Sequence, residues 1–462
     1  MPHVLKTLLF GLLLSSSFIG ASQPLPPAGN TDVPEAHTTF RLFSALFVPN
    51  NPKQQDILHY LSEHWTEAYL PLLIDVLYHS KAAVNRQPVI QLMEQQTGQR
   101  FGGNINAWLE WLWNQEQRIL PYHGDWMARV HKGIDPKFER YFKGRTQQSK
   151  IRLDEVRWGG VVQDGIPPLR YPKMLKAEQA NYLADHHVVF GVSINGDHRA
   201  YPKRILAWHE MFVDTIGGAS IAGVYCTLCG TVIAYDTEFE GTNYQLGTSG
   251  FLYRSNKLMY DQATQSLWNT IAGKPVIGPL ADSDIELSSH AVVTTTWGAW
   301  KALHPDTQVL SLETGHQRNY GEGEAYKSYF ATDDLMFNVP SLDGRLANKD
   351  EVLIVRAEGY QEDPLALSAR FLARRRVYQD RIRSTNFVVL TDKSGGNRVY
   401  HAREYTFTKL SKGKLLDATG ASWDISEEQL VSPTGEALER LPYHRIFWFA
   451  WYNSYPETRL VR

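Results

Sequence analysis

The spacing of hydrophobic positions divides the chain into two textures. Between residues 40 and 145 apolar side chains recur every three or four positions: Trp65, Leu70, Leu73, Ile74 and Leu77, then Val89, Leu92 and Met93, then Trp108, Leu109, Trp111 and Leu112. That period draws one apolar stripe along an α-helix. Thr97-Gly98 and residues 101–104 (FGGN) interrupt it. The expectation is a domain of several antiparallel helices over residues 38–148. The Trp-rich run 108–113 (WLEWLW) reads as a helix packed on its neighbours.

From Ile151 the pattern shortens to strand-length runs punctuated by Gly and Pro. Residues 186–194 (HHVVFGVSI) predict a strand, and Asn195-Gly196 a tight hairpin with two positive φ angles. Residues 198–204 return, and 205–213 (ILAWHEMFV) form a short helix or strand that carries His209. Gly217-Gly218 then turns the chain into residues 220–236, SIAGVYCTLCGTVIAYD. Apolar runs on both sides of Cys226 and Cys229 predict strand, tight turn, strand, with both thiols on the turn. Strands do not alternate regularly with helices, so a doubly wound sheet is disfavoured. The predicted class is α+β: a helical N-terminal domain followed by a β-rich domain with signs of internal duplication.

Those signs are specific. Trp297 and Trp300, then Pro305 and Thr307, are matched at the same spacing by Trp448 and Trp451, then Pro456 and Thr458. Asp261, Thr264, Ser266 and Trp268 have a looser echo in Asp417, Thr419, Ser422 and Trp423. Residues 385–462 therefore read as a degenerate copy of 220–310, within a core domain at 149–350 and a second β-rich segment at 351–462. Where the first copy has its cysteines the second has residues 390–396 (LTDKSGG), with no thiol. Loss of the pair in one copy assigns it to a site more than to the fold.

Composition adds an address. Residues 7–14 (TLLFGLLL) follow His3 and Lys6 and precede Gly20, Ala21 and Ser22. Basic, apolar and small segments in that order predict a signal peptide over 1–22, and a Pro-rich linker follows over 23–37. No later run is long enough to span a bilayer, so the expected address is periplasmic or secreted. The net charge of -2, with 21% charged and 43% hydrophobic residues, gives no basic field for nucleic acid.

Cys226 and Cys229 are the two cysteines of the chain. Three readings apply. The first is a metal site, copper or catalytic zinc, with His209 as the nearest nitrogen ligand by sequence and His186, His187 and His198 behind it. The second is a structural disulfide, common outside the cytoplasm. The third is thiol redox chemistry, which the strand context counts against because redox pairs favour a helix N-terminus. A candidate cleft is formed by Thr248 and Ser249 of a Gly/hydroxyl loop, with Arg254, Asn256 and Asp261. Strand alternation places Arg254, Asn256 and Leu258 on one face and Tyr253, Ser255 and Lys257 on the other.

Several segments resemble one family: 164–167 (DGIP), 199–202 (RAYP), 208–210 (WHE), 225–231 (YCTLCGT), 247–252 (GTSGFL), 253–261 (YRSNKLMYD), 266–268 (SLW) and 297–307 (WGAWKALHPDT). It is the bacterial and archaeal extracytoplasmic family DUF3179, whose name implies no activity. The likeness covers roughly residues 150–350. Thr227 replaces the family's usual Pro after the first Cys, which loosens the turn's preset φ without removing a ligand. The N-terminal part loosely resembles HEAT-type helical hairpins, and that resemblance implies a protein partner.

Overall fold

A computed structural model describes residues 36–80 and 86–462. The expected signal peptide and the linker as far as residue 35 lie outside the described residues. As the hydrophobic pattern requires, helices come first and a β-rich region follows. The described chain divides into two compact units, one ending at residue 144 and the other taking 109–117 and 145–462.

The first unit is helical. Its central helix, Leu70–His79, is buried along Leu70 to Leu77, apolar there except for Asp75, and sits inside the bundle. The indole of Trp126, fully buried, donates to Asp75 Oδ2 at 3.1 Å and stacks on Phe47. The helix Ile105–Trp113, whose residues from 109 on fall in the second unit, buries Trp108, Leu109, Leu112 and Trp113.

The second unit holds six sheets of three or more strands. One has the order Val292–Thr296, Val188–Ile194, Asp197–Pro202, Gln308–Leu310, Met174–Lys176. A later sheet has the order Tyr443–Phe447, Glu351–Val355, Leu365–Ser368, Arg459–Val461. The first four strands of each agree in order and in sense. Two antiparallel pairs are followed by a parallel one, Gln308 opposite Arg199 in the first and Leu365 opposite Arg459 in the second. A short helix follows the third strand in both, Lys203–His209 and Ala369–Arg374. A Trp helix precedes the fourth, Trp297–Leu303 and Trp448–Ser454.

The W-x-x-W spacing has a physical reason in each half. The Trp300 indole donates to Thr307 Oγ1 at 2.9 Å, and the Trp451 indole to Thr458 Oγ1 at 2.9 Å. Each threonine passes its own proton to a backbone carbonyl, of His198 and of Pro364. Asp261 and Asp417 likewise accept from the indoles of Trp268 and Trp423 at 3.2 and 3.0 Å.

Two local expectations change. Residues 205–213 are neither one helix nor one strand. The helix Lys203–His209 ends at Glu210 in the left-handed region (φ 54°), and the strand Met211–Ile216 starts there. Residues 253–261 are not one alternating strand either. Strand Leu246–Tyr253 turns at Arg254-Ser255 (φ 49° and 62°) into strand Asn256–Asp261, with Tyr253 paired to Asn256. Two positive φ angles make the tight turn that matches strand twist, here without Gly or Asn to advertise it. Asn195-Gly196 does advertise its turn, and adopts it with φ of 50° and 77°.

Candidate functional site

The thiol turn is set by its two strands. Ala219–Cys226 and Thr231–Asp236 pair antiparallel with Cys226 opposite Thr231. Cys229 N–H donates to the Cys226 carbonyl at 3.1 Å, and Gly230 closes the turn at φ 63°. A Cβ on Gly230 would lie 2.6 Å from the Phe447 ring, so glycine is required twice over. The Phe447 N–H donates to the Cys229 carbonyl at 2.7 Å. Both thiols are unbridged and buried, 2% and 0% exposed.

The Arg254-Ser255 turn delivers two groups to the sulfurs. Asn256 Nδ2 donates to Cys229 Sγ at 3.2 Å, and the Cys229 thiol faces the Ser255 carbonyl at 3.4 Å. Lys257 follows with its ammonium buried. Its Nζ donates to the carbonyls of Glu210 (2.7 Å) and Tyr225 (3.4 Å) and lies 3.4 Å from the Glu210 carboxylate. Glu210 Oε1 also accepts from the Tyr326 hydroxyl at 3.0 Å. The Tyr329 hydroxyl donates to the Leu228 carbonyl within the turn at 2.7 Å.

The two thiols lie in unequal electrostatic environments. Burial pushes the Cys226 thiol up, but the bond from Cys229, the Lys257 backbone N–H and the Lys257 charge outweigh it, and Cys226 is lowered. Cys229 is raised well above the usual thiol range by burial, by its bond to Cys226 and by the negative charges of Cys226 and Glu210. One thiol ionises first, and its charge holds the proton on the other.

The remaining expected site residues have structural partners. His209 Nδ1 faces the Pro167 carbonyl at 2.9 Å, an acceptor only, so Nδ1 carries the proton. Its Nε2 then accepts from the Tyr320 hydroxyl at 2.6 Å, and both ring nitrogens are engaged. Thr248 binds Asp164 and the Ile166 carbonyl, and Ser249 Oγ bonds Leu258 O and Phe251 N–H across a bulge. Arg254 pairs with Glu155 and reaches the Asn453 carbonyl. Asp261 caps its own turn, accepting from Thr264 and Ser266 as well as Trp268. His198 bonds Ser193 and lies against His304, and His186 and His187 contact each other. Of the candidate cleft, Asn256 alone has a hydrogen bond to a thiol. Among the described residues, no group of three or more His, Cys, Asp or Glu is placed to hold a metal ion.

Lys257, Glu210 and Tyr326 were not among the expected site residues. The signal for Lys257 was available: a lysine inside NKLMYD, in a strand buried along its whole length. Nothing in the sequence marks Tyr326, which stands at φ 56° between Gly/Glu-rich coil and the short helix Lys327–Phe330.

The second half offers a comparison at the matching turn, between strands Thr385–Thr391 and Asn397–His401. There Asp392 Oδ1 accepts from the N–H groups of Ser394 and Gly396, each at 2.9 Å, while Oδ2 pairs with the buried Arg398 at 3.1 Å. A carboxylate paired with a guanidinium occupies the place of the thiol pair. Leu415, two residues past the Lys412-Gly413 turn, stands where Lys257 stands past its own.

Among the described residues, no helix is long and apolar enough to cross a membrane. Comparison with curated proteins and with solved structures gives no match. A family model described as "Protein of unknown function (DUF3179)" matches residues 163–458, well past residue 350 and through the second β-rich half. The chain belongs to the DUF3179 family.

Proposed function

We propose that Cys226 and Cys229 form a redox dithiol, with Cys226 the reactive thiol and Cys229 its resolving partner. The observation that carries this reading is the turn itself: two unbridged, buried thiols held in one tight turn by the Cys229 N–H bond to the Cys226 carbonyl, in environments that lower one thiol and raise the other. That division suits nucleophile and resolving thiol. The strand context, which counted against redox chemistry, is offset because Lys257 supplies the positive charge that a helix N-terminus supplies elsewhere. The test is a titration of the reduced protein against dithiothreitol redox buffers. A reversible two-electron transition, lost in Cys226→Ser, supports the reading; a pair that stays oxidised or stays reduced across the accessible range sinks it.

A metal reading keeps one observation in its favour. Asn256 Nδ2 donates to Cys229 Sγ, as it would to a bound thiolate. It involves the two sulfurs without His209, so a soft, low-coordinate ion such as copper(I) suits it better than four-coordinate zinc. Copper or zinc at one equivalent in protein from its native compartment, absent from Cys226→Ser, decides for it. A permanent structural disulfide would instead appear as a pair that never yields free thiol.

The shared strand order, the Trp–Thr and Trp–Asp bonds and the matching turns support descent of the two β-rich halves from one duplicated module, with the thiol chemistry in the first. The signal-peptide pattern supports a periplasmic or secreted address. The helical unit, HEAT-like in its hairpins, is proposed as the surface for a protein partner, tested by pull-down with that unit's exposed face recharged.

A further inference from the structure

Two hydroxyls beside Cys226 are buried without a hydrogen-bond partner: those of Thr227 and Thr231. Both residues are 0% exposed. Thr227 follows Cys226 directly. Thr231 is the cross-strand partner of Cys226, so the Cys226 and Thr231 side chains share a face of the sheet. Buried hydroxyls are nearly always paired, and two unpaired ones beside one thiol point to a ligand that brings oxygen atoms with it.

We propose that these hydroxyls and the Cys226 sulfur form a subsite for a small hydroperoxide, hydrogen peroxide being the simplest, which the dithiol reduces. The proposal rests on the redox reading above and names its oxidant. Burial of both sulfurs keeps out a protein disulfide, whose exchange needs an exposed thiol. A peroxide is small, and its two oxygens accept what the hydroxyls have to donate. Donors beside the leaving oxygen stabilise the charge that grows there as the O–O bond breaks.

The step balances. The Cys226 thiolate attacks the distal oxygen; an S–O bond forms and the O–O bond breaks. The departing alkoxide or hydroxide takes up the proton that Cys226 released and leaves as alcohol or water. Cys226 is then a sulfenic acid. The Cys229 sulfur, carried on the same tight turn, attacks; the S–S bond forms, the S–O bond breaks, and the Cys229 proton leaves with the hydroxide as water. One peroxide gains two electrons and the dithiol loses two. Turnover requires a dithiol reductant small enough to reach the buried pair, such as dithiothreitol.

The reduced full-length chain is mixed with hydrogen peroxide, and free thiol and residual peroxide are followed in time. One peroxide should be consumed per cysteine pair, at least about 100-fold faster than by free cysteine. Cys229→Ser should accumulate a sulfenic acid that a 1,3-dione traps. The isosteric pair Thr227→Val/Thr231→Val should slow the peroxide reaction about tenfold or more. Thr227→Ser/Thr231→Ser should restore it, and oxidation by diamide should be equal in both. If diamide closes the disulfide but peroxide reacts no faster than with free cysteine, the peroxide inference falls and the redox reading stands. If neither oxidant closes it, both fall. A Val pair that reacts at the wild-type rate overturns the hydroxyl subsite.

Discussion

Gly230→Ala tests whether the thiol turn is held from outside. Two costs are readable. Alanine at φ 63° enters the left-handed region, at about 1–2 kcal/mol. Its Cβ would also meet three atoms of the Phe447 ring at 2.6, 2.7 and 2.8 Å. Overpacking on that scale costs about 1–3 kcal/mol. The sum is about 2–5 kcal/mol, a large share of the stability of a typical domain. Phe447→Leu removes the ring and hence the second cost, while the φ cost remains. The double variant should therefore be more stable than the two single losses imply, by about 1–3 kcal/mol. Urea unfolding of the four proteins, with unchanged slope, measures the cycle. Alkylation of Cys229 by iodoacetamide should rise in Gly230→Ala as the turn undocks. Additivity within about 0.5 kcal/mol would refute the reasoning, because residues without coupling behave so.

Other outcomes follow from the same contacts. Lys257→Met should leave the buried Glu210 carboxylate unpaired, costing about 3–5 kcal/mol, and should raise the Cys226 thiol as read by thiolate absorbance against pH. Adding Glu210→Gln should recover much of the stability. Burial lowers His209 to about 4 from an unfolded value of 6.5, so the unfolded chain binds its proton first as pH falls. Its contribution is full above pH 6.5 and disappears towards pH 4, up to about 3 kcal/mol. Wild type should therefore lose that much more than His209→Gln across the window in urea unfolding. Asp261→Ala and Asp417→Ala should each cost about 2–4 kcal/mol by stranding a buried indole N–H and backbone donors. A negligible effect at either would deny that the two caps are equivalent.

The sequence carried the architecture where pattern and punctuation agreed. Helical periodicity ended near residue 145, Asn195-Gly196 announced its hairpin, and the W-x-x-W spacing showed as a Trp–Thr bond in each half. It carried the thiols and Asn256. It failed where a turn lacked its usual residues: Arg254-Ser255 hid a hairpin, so residues 253–261 read as one alternating strand. It failed again where partners come from far along the chain. Tyr326 reaches Glu210 across 116 positions, from a segment without periodicity. His209 looked like a ligand by proximity to the cysteines, yet its nitrogens are held by Pro167 and by Tyr320, 111 positions away.

The hydrogen bond from Phe447 N–H to the Cys229 carbonyl bears on how the protein can be cut. The thiols lie in the first β-rich half, and a fragment ending near residue 350 would contain both of them, with Lys257, Asn256 and Glu210. It would still lack the backbone donor and the aromatic ring that close the turn. Such a fragment should expose Cys229 and report the chemistry of a loose thiol pair. The smallest piece worth assaying for thiol chemistry therefore keeps the strand Tyr443–Phe447, and a reporter or tag at the C-terminus belongs beyond the strand Arg459–Val461 that completes its sheet.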